Sequence, residues 1–438
     1  MKPVYLAPLL ALSSILILAG CGGSSSNSSA TAETYLQFYN GAANSGNTSL
    51  KAGDIAIGTA VYGDVSALVA IKPDSYSLEL TDVVTAEDLL TEDMALAEGK
   101  KTLFILTQQE DQLDYLSLSF TRDDGLENQF KLHLANLSAE NPQLDVYMSA
   151  ENKGFADAEL LDALAFQEIS SISAAKDIGK FNLYLTAAGT TTPLFVANSV
   201  NFAYANHYVL IVRDKHGPIA EQLSVDVVLN SSTVTAYDHA DAQAQFRLYN
   251  SLAQPVNVEI DNQQLTTLAP SGFSNYLPLN KGDYSLSLRT ADDQLLLNSA
   301  LLSLVAGDSK AVLVYANEQQ QVEALSIAEA DAPQLKAHDI SVANLAADFD
   351  KLHFYFVRQN ETISNARYSV KNLAFKKQQS LNLPKDYYAI SLVHVAENGS
   401  TTLLDKTASM MLEPGKHYML LAEQDDAAPS GYKLKLVH

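Results

Sequence analysis

Residues 280–288 read NKGDYSLSL, and this stretch decides the fold of the 438-residue chain. The turn-forming letters KGD precede Tyr284, after which Leu286 and Leu288 alternate with serines. Apolar alternation with a period of two predicts a β-strand that buries one face. By itself the stretch fits either a ligand-binding loop or a turn that leads into a strand, and its other copies decide between the two.

The same phrase occurs four times along the chain, each time with an aromatic residue after a turn signal. The other copies are KPDSYSLEL ending at Leu80, DIGKFNLYL ending at Leu185 and LPKDYYAISL ending at Leu392. A tyrosine at a strand corner is a feature of immunoglobulin-like sandwiches. We therefore predict a structural role for the aromatic of each copy, and these residues are Tyr76, Phe181, Tyr284 and Tyr388.

Two further phrases accompany each copy and complete a repeating unit. Each unit opens with a strand-like stretch that runs into an asparagine, and these are Asn40, Asn136, Asn250 and Asn344. A turn and a continuous apolar run follow each copy, as in LVAGDSKAVLV at residues 304–314, and indicate a strand buried deep in a sandwich. Short strands with frequent turn signals are typical of an immunoglobulin-like β-sandwich.

The sequence therefore predicts an all-β chain of four tandem immunoglobulin-like β-sandwich domains. The predicted repeats are residues 34–125, 129–240, 245–331 and 336–438. Helix is predicted to be scarce, with a turn or two within TAEDLLTEDMALAEG at residues 85–99 and DAELLDALAF at residues 157–166.

The N-terminus is predicted to be a targeting segment. Lys2 precedes an apolar run that is too short for a comfortable membrane span, and the run ends in LAGC at Cys21. This ending resembles the lipobox of bacterial lipoproteins, which implies cleavage after Gly20 and lipidation of the Cys21 sulfur. We expect a signal peptide at residues 1–20 and a lipidated, Gly/Ser-rich tether at residues 21–33. Gly22 in place of aspartate points, by the same resemblance, to the outer membrane.

Charge and cysteine content exclude several classes of protein. Acidic residues outnumber basic ones 51 to 28, for a net charge of −23, which argues against a nucleic-acid partner. One cysteine cannot build a disulfide framework.

No catalytic motif, cofactor site or metal site is predicted. YDHADAQ, with Asp238, His239 and Asp241, is the nearest approach to a metal cluster but is better explained as a polar linker. The acidic pairs at residues 123–124, 292–293 and 425–426 lack calcium-loop spacing and are expected to be turns. His207 and His417 occupy equivalent places and are expected to face solvent.

The order of the phrases resembles a bacterial family of uncharacterised immunoglobulin-like repeats, a domain of unknown function found on exported proteins. The closest matches are NLSAENPQLDVYM at residues 136–148 and YGDVSALVAIKPDSYSLEL at residues 62–80. This resemblance implies an exported or lipid-anchored protein with no assigned activity.

We therefore expect a non-enzymatic envelope protein, anchored by its N-terminal lipid in the outer membrane, that binds envelope proteins or glycans through its sandwiches. The alternative is a structural spacer or assembly scaffold in an envelope complex. The sequence leaves open whether the chain faces the periplasm or the cell surface.

Overall fold

A computed structural model describes residues 33–122 and 124–438 of the chain. This part is almost entirely β-structure, with two single-turn 3-10 helices at Phe155–Asp157 and Ile363–Asn365. Its sheets pair into sandwiches, which confirms the predicted all-β class with tandem β-sandwiches. We number the sandwiches 1 to 4 along the chain.

Sandwich 1 packs the sheet β4-β1-β8-β9, with β5 beside β1, against the sheet β3-β2-β6-β7. Its strands are β1 (Thr34–Asn40), β2 (Thr48–Ala52), β3 (Ile55–Ala60), β4 (Asp64–Val65), β5 (Val69–Ile71), β6 (Ser75–Asp82), β7 (Asp88–Ala95), β8 (Lys100–Gln109) and β9 (Gln112–Thr121).

Sandwich 2 packs the sheet β13-β10-β16-β17-β18 against the sheet β12-β11-β14-β15. Its strands are β10 (Gln129–Asn136), β11 (Gln143–Ala150), β12 (Glu159–Ala165), β13 (Glu168–Asp177), β14 (Gly179–Ala187), β15 (Pro193–Phe202), β16 (His207–Asp214), β17 (Leu223–Val228) and β18 (Thr235–Asp238).

Sandwich 3 packs the sheet β22-β19-β26-β27, with β23 beside β19, against the sheet β21-β20-β24-β25. Its strands are β19 (Ala244–Asn250), β20 (Val256–Ile260), β21 (Gln263–Leu268), β22 (Gly272–Phe273), β23 (Leu277–Leu279), β24 (Gly282–Arg289), β25 (Leu295–Leu304), β26 (Ser309–Ala316) and β27 (Val322–Ala328).

Sandwich 4 packs the sheet β31-β28-β35-β36 against the sheet β30-β29-β32-β33, with β34 beside β32. Its strands are β28 (Ala337–Asn344), β29 (Lys351–Val357), β30 (Tyr368–Ala374), β31 (Gln378–Pro384), β32 (Tyr387–Val395), β33 (Thr401–Lys406), β34 (Met410–Met411), β35 (Met419–Gln424) and β36 (Tyr432–Val437).

In every sandwich the first strand runs parallel to the strand formed by the continuous apolar run. Examples are β1 with β8 and β19 with β26. The asparagine that ends the opening strand is fully buried in all four cases. Its side-chain oxygen accepts a hydrogen bond from the backbone N–H two residues later, at 2.9–3.0 Å. The repeated asparagine therefore closes an Asx turn where the chain leaves the strand.

Leu286 and Leu288, the residues that alternate in the opening phrase, lie in the apolar interior of sandwich 3. Sandwiches 1, 2 and 4 each contain an interior cluster of the same kind. The period-two pattern therefore marks the strand face that points inward.

The two predicted helical stretches are strands, so that prediction was wrong. Residues 85–99 contain β7, which pairs antiparallel with β6, and residues 157–166 contain β12, which pairs antiparallel with β11. Leucine, alanine and glutamate are good helix formers, but intrinsic propensity is a weak determinant of structure, and pairing within a sheet overrides it here.

The sandwiches pack face to face in two pairs, each through a second apolar cluster outside the sandwich interiors. In the pair of sandwiches 1 and 2 the cluster comprises Tyr39, Val65, Leu103, Ile105, Leu118, Phe120, Ala135, Leu137, Val209, Ile211 and Val228. In the pair of sandwiches 3 and 4 it comprises Tyr249, Ala311, Leu313, Tyr315, Ile327, Ala343, Leu345, Met419 and Leu421. The continuous apolar runs are thus buried on both faces, one in their own sandwich and the other against its partner.

Candidate functional site

The predicted lipidation site lies outside the described residues. Cys21, the cleavage position at Gly20 and most of the tether precede residue 33, so the anchor stays a prediction. Within residues 33–122 and 124–438, no helix has the length and hydrophobicity needed to span a bilayer.

Three of the four predicted corner aromatics make the same hydrogen bond. The hydroxyl groups of Tyr76, Tyr284 and Tyr388 donate to the backbone carbonyl oxygens four residues upstream, at 3.0, 2.8 and 2.8 Å. This bond ties the start of each strand to the turn before it, as a tyrosine corner does.

Burial differs among these aromatics. Tyr388 is 1% exposed, whereas Tyr76 and Tyr284 are half-buried. Phe181 has no hydroxyl and instead packs edge-on against Phe130 and Phe202. All four side chains therefore act within their own sandwiches.

The side chains of Asp238, at the end of β18, and of His239 and Asp241, in the linker that follows, contact separate partners. Asp238 pairs with Lys215 at 3.1 Å, and Asp241 pairs with Lys281 at 2.9 Å. The Nδ1 atom of His239 accepts a hydrogen bond from the backbone N–H of Val196. Over the described ranges, no three histidine, cysteine or acidic side chains converge as metal ligands.

One member of each acidic pair lies beside a cationic side chain, and Asp123 lies outside the described residues. Asp425 lies 3.0 Å from Lys433, Asp293 lies 3.6 Å from Arg289, and Asp124 pairs with Lys131.

His207 is buried, so the expectation that it faces solvent was wrong. It is 5% exposed and contacts His133 between sandwiches 1 and 2, whereas the equivalent His417 is half-buried. The reason is the packing of sandwich 1 over the sheet that carries β16. The position of a residue within one repeat does not show whether a neighbouring sandwich packs over it.

A cleft of about 810 Å³ lies beside the linker between sandwiches 2 and 3, and we take it as the candidate site. Sandwich 2 and its β16–β17 hairpin form most of its walls, and sandwich 3 contributes Gly307. The polar lining comprises Glu140, Asn141, Lys215, Glu221, Gln222, Asp238, His239 and Gln243, and the apolar lining includes Leu194, Phe195, Ile219 and Leu223.

Lys215 lies in one wall of the cleft, and its charge is already paired with two carboxylates. Its ammonium group lies 3.1 Å from the Asp238 carboxylate and 3.0 Å from that of Asp331, which follows sandwich 3. Burial lowers the pKa of Lys215, but these two carboxylates outweigh burial and raise it above its usual value. The lysine is therefore a fixed cross-link between sandwich 2 and the chain beyond sandwich 3.

The other two carboxylates of the lining, those of Glu140 and Glu221, belong to solvent-exposed side chains. Among the described residues, the side chains of Glu140 and Glu221 have no hydrogen-bonding or cationic partner. Burial, followed by the nearby carboxylates of Asp214 and Glu221, raises the pKa of Glu140. The cleft thus combines uncompensated negative charge with amide groups and a short apolar wall, a lining suited to ammonium, hydroxyl and amide groups of a ligand.

Sequence reasoning missed this cleft. The sequence singled out Asp238 and His239, which do line the cleft, but the rest of the lining comes from strands, turns and a linker that are distant along the chain, and no spacing signal relates them.

Comparison with known proteins adds one family match and one distant structure. Residues 244–355 match the family described as "Domain of unknown function (DUF4397)". The match covers sandwich 3 and reaches into β29 of sandwich 4. No curated protein matches the chain.

The structure titled "The Bacillus anthracis TIE protein" aligns with 85% of this chain and 65% of that one, at 9% identity and a TM-score of 0.15. The chain thus spans less than two-thirds of the length of that structure, and the likeness is too low to carry a functional argument.

Proposed function

We propose that the chain is a non-enzymatic, lipid-anchored protein of the bacterial cell envelope that binds an envelope protein or a glycan in the cleft between sandwiches 2 and 3. The observation that carries the proposal is the pair of uncompensated carboxylates, Glu140 and Glu221, in a concave space of about 810 Å³. Unpaired charge in a concave, partly apolar wall attracts a ligand of opposite charge and orients it.

The rigid setting of the cleft supports this assignment. Lys215 bridges to Asp331, the backbone N–H of His216 donates to the Asp331 carbonyl at 3.1 Å, and the N–H of Gly307 donates to the Ala242 carbonyl at 3.3 Å. Because these contacts hold the cleft in shape before binding, a ligand would lose less affinity to ordering of the protein.

Binding is tested with the double variant Glu140→Lys/Glu221→Lys. Wild type and variant, expressed in their native cells, are crosslinked and recovered, and the purified chains are probed on an array of bacterial glycans. We expect a crosslinked protein or a glycan signal that the double variant loses and that Asp93→Lys, a charge reversal at an exposed residue on β7, retains. Equal capture by all three proteins would refute the cleft as the binding site.

The anchor is tested separately with Cys21→Ala. The proposal predicts that labelled palmitate enters the wild type and not the variant, and equal labelling of both would refute lipidation at this residue. Protease shaving of intact cells then reports whether the sandwiches face the surface or the periplasm.

The second candidate function, a spacer or assembly scaffold, is favoured by the two apolar clusters that join the sandwiches into pairs. Large apolar interfaces between domains restrict their relative motion, which suits a fixed spacer. If the charge reversals leave every interaction intact while disruption of a pair interface abolishes assembly of an envelope complex, the scaffold is the function.

A further inference from the structure

Two histidines lie side by side at the interface of sandwiches 1 and 2. His133 is on β10 and His207 begins β16, the parallel neighbour of β10. The Nε2 atom of His133 lies 2.9 Å from the Nδ1 atom of His207. Both side chains belong to sandwich 2, and only 6% and 5% of their surfaces are exposed.

Sandwich 1 seals the pair with a single aromatic ring. Phe120 on β9 stacks on both imidazoles, with ring centroids 4.6 Å apart in each case and interplanar angles of 18° and 12°. The same ring belongs to the apolar cluster that joins the two sandwiches. The protonation state of the two imidazoles therefore affects the contact between sandwiches 1 and 2 directly.

The hydrogen bonds define where protons sit when both imidazoles are neutral. The Ser171 hydroxyl lies 2.8 Å from His133 Nδ1, and an Asp124 carboxylate oxygen lies 3.4 Å from His207 Nε2. A proton on His207 Nε2 facing the carboxylate leaves its Nδ1 as acceptor. His133 then donates from Nε2 to His207 and accepts from Ser171 at Nδ1. Three of the four ring nitrogens then have a hydrogen-bond partner, and the fourth, His207 Nε2, faces the Asp124 carboxylate without hydrogen-bonding to it.

The hydrogen bond between the two histidines survives the addition of one proton but not of two. One proton makes His207 an imidazolium that faces the Asp124 carboxylate and donates to His133, and His133 then carries its own proton on Nδ1, toward the Ser171 oxygen. A single imidazolium also keeps its attraction to the face of Phe120. A second proton places N–H groups on both facing nitrogens, so the 2.9 Å hydrogen bond is lost and two positive charges meet.

The charged groups around the pair oppose protonation. Lys131 on β10 supplies a cation, and Lys101 on β8, whose pKa is lowered to about 7 by burial and then by Arg122, supplies a second one in acid, while Asp124, which pairs with Lys131, supplies one carboxylate. Lys101 lies 5.8 Å from the centre of the Phe120 ring. Burial first, and then the charges of His207, Lys101 and Lys131, lower the pKa of His133 to about 4.

Burial likewise lowers the pKa of His207, although Asp124 opposes the shift. Both groups thus bind protons less readily when the interface is closed than when it is open.

We propose that the His133–His207 pair is an acid-sensitive latch between sandwiches 1 and 2, which holds them together while it shares its protons and releases them when both imidazoles become charged. Opening lets water reach both rings, so the open form takes up protons in acid. Below the usual histidine pKa of about 6.5, the opening equilibrium rises about tenfold per pH unit for each proton taken up.

Hydrogen exchange of the full chain, read by mass spectrometry between pH 7 and 4.5 and corrected for the intrinsic pH dependence of exchange, tests the latch. In the wild type we expect β9 and β17, which contribute to the interface, to lose protection as the pH falls, while β32 inside sandwich 4 keeps it. The variant His133→Gln/His207→Gln should keep the interface closed over this range, and His207→Gln, which leaves one buried imidazole, should open less steeply with falling pH than the wild type. His353→Gln, which removes a histidine of sandwich 4, should open as the wild type does.

Acid opening as steep as that of the wild type in the double glutamine variant, or wild-type protection that is unchanged at pH 4.5, would overturn the proposal. Circular dichroism at pH 7 shows whether each variant is folded. If neither is, imidazole ¹⁵N spectra of the wild type decide: two coupled protonation steps below the usual range support the latch, and two independent steps near pH 6.5 refute it.

Discussion

Replacing Tyr249 tests whether sandwiches 3 and 4 depend on their shared interface. The side chain is fully buried, and its ring packs edge-on against Phe273 at a centroid distance of 5.2 Å. Its hydroxyl reaches across to sandwich 4 and lies 3.0 Å from both carboxylate oxygens of Glu423, which is itself 1% exposed. One side chain thus supplies both apolar contact and a charged hydrogen bond.

Two substitutions separate the contribution of the Tyr249 hydroxyl from that of its ring. Tyr249→Phe removes only the hydroxyl, and Glu423 keeps the Ser251 hydroxyl at 2.7 Å and Lys433 at 3.4 Å. A hydrogen bond to a charged group stabilises by about 1.5–3 kcal/mol, and that is the expected loss. Tyr249→Ala also removes a buried ring, for which the cost is about 3–5 kcal/mol, so it should be the more damaging variant.

Scanning calorimetry of the full chain measures the effect. For a unit of about 200 residues, 1 kcal/mol shifts the melting temperature by about 2–4 °C, so Tyr249→Phe should lower the corresponding transition by about 3–12 °C. Tyr387→Phe, at a tyrosine that is 54% exposed, is the matched control and should leave the thermogram unchanged. A Tyr249→Phe thermogram that overlays the control would show that the hydroxyl–carboxylate contact stabilises nothing, and the reasoning would be wrong.

Three further predictions concern other parts of the molecule. Tyr388→Ala should destabilise sandwich 4 by about 3–5 kcal/mol, and half-buried Tyr284→Ala should cost sandwich 3 less, as measured by calorimetry. Glu329→Gln removes the charge opposite Arg247, which is 2.6 Å away and nearly buried, and should cost about 3–5 kcal/mol in denaturant unfolding. Burial and the Asp226 carboxylate raise the pKa of Tyr39, so its contribution to the stability of the fold is complete below pH 10 and is lost as the pH rises further. Tyr39→Phe should therefore flatten the decline of the melting temperature at alkaline pH.

The sequence was sufficient to predict the all-β class and the tandem sandwiches, because the same local strand and turn features recur in every repeat. Leu286 and Leu288 must point inward and Tyr284 must close a corner, and these needs recur wherever the phrase recurs. Local chemistry of this kind is written in each copy, so comparing the copies shows it.

The pairing of sandwiches was not predicted, although a signal for it is present. The residue before the strand-ending asparagine is tyrosine in sandwiches 1 and 3 and alanine in sandwiches 2 and 4, at Tyr39, Ala135, Tyr249 and Ala343. Each interface cluster combines one such tyrosine with one such alanine. A search for features common to all repeats discards an alternation of this kind, because it is a difference between neighbours.

The alternation extends to the backbone. In sandwiches 1 and 3 the strand beside the opening strand is split in two, and a serine at the break, Ser66 or Ser274, accepts a hydrogen bond from the opening strand. In sandwiches 2 and 4 the corresponding strands, β13 and β31, are continuous. Two kinds of sandwich thus alternate, and the unit that repeats structurally is a pair.

The pairing also explains where the candidate cleft lies. Within a pair the contact is built on an apolar cluster, with buried polar contacts such as that of Tyr249 with Glu423 across it, and close packing stabilises such an interface. Between the pairs the contacts are ionic or between backbone groups, such as Lys215 with Asp331 and Lys281 with Asp241. Such contacts tolerate water and open space, so the cleft lies at this junction. Binding at the cleft and the acid response of the latch are therefore assigned to different interfaces and can be tested independently.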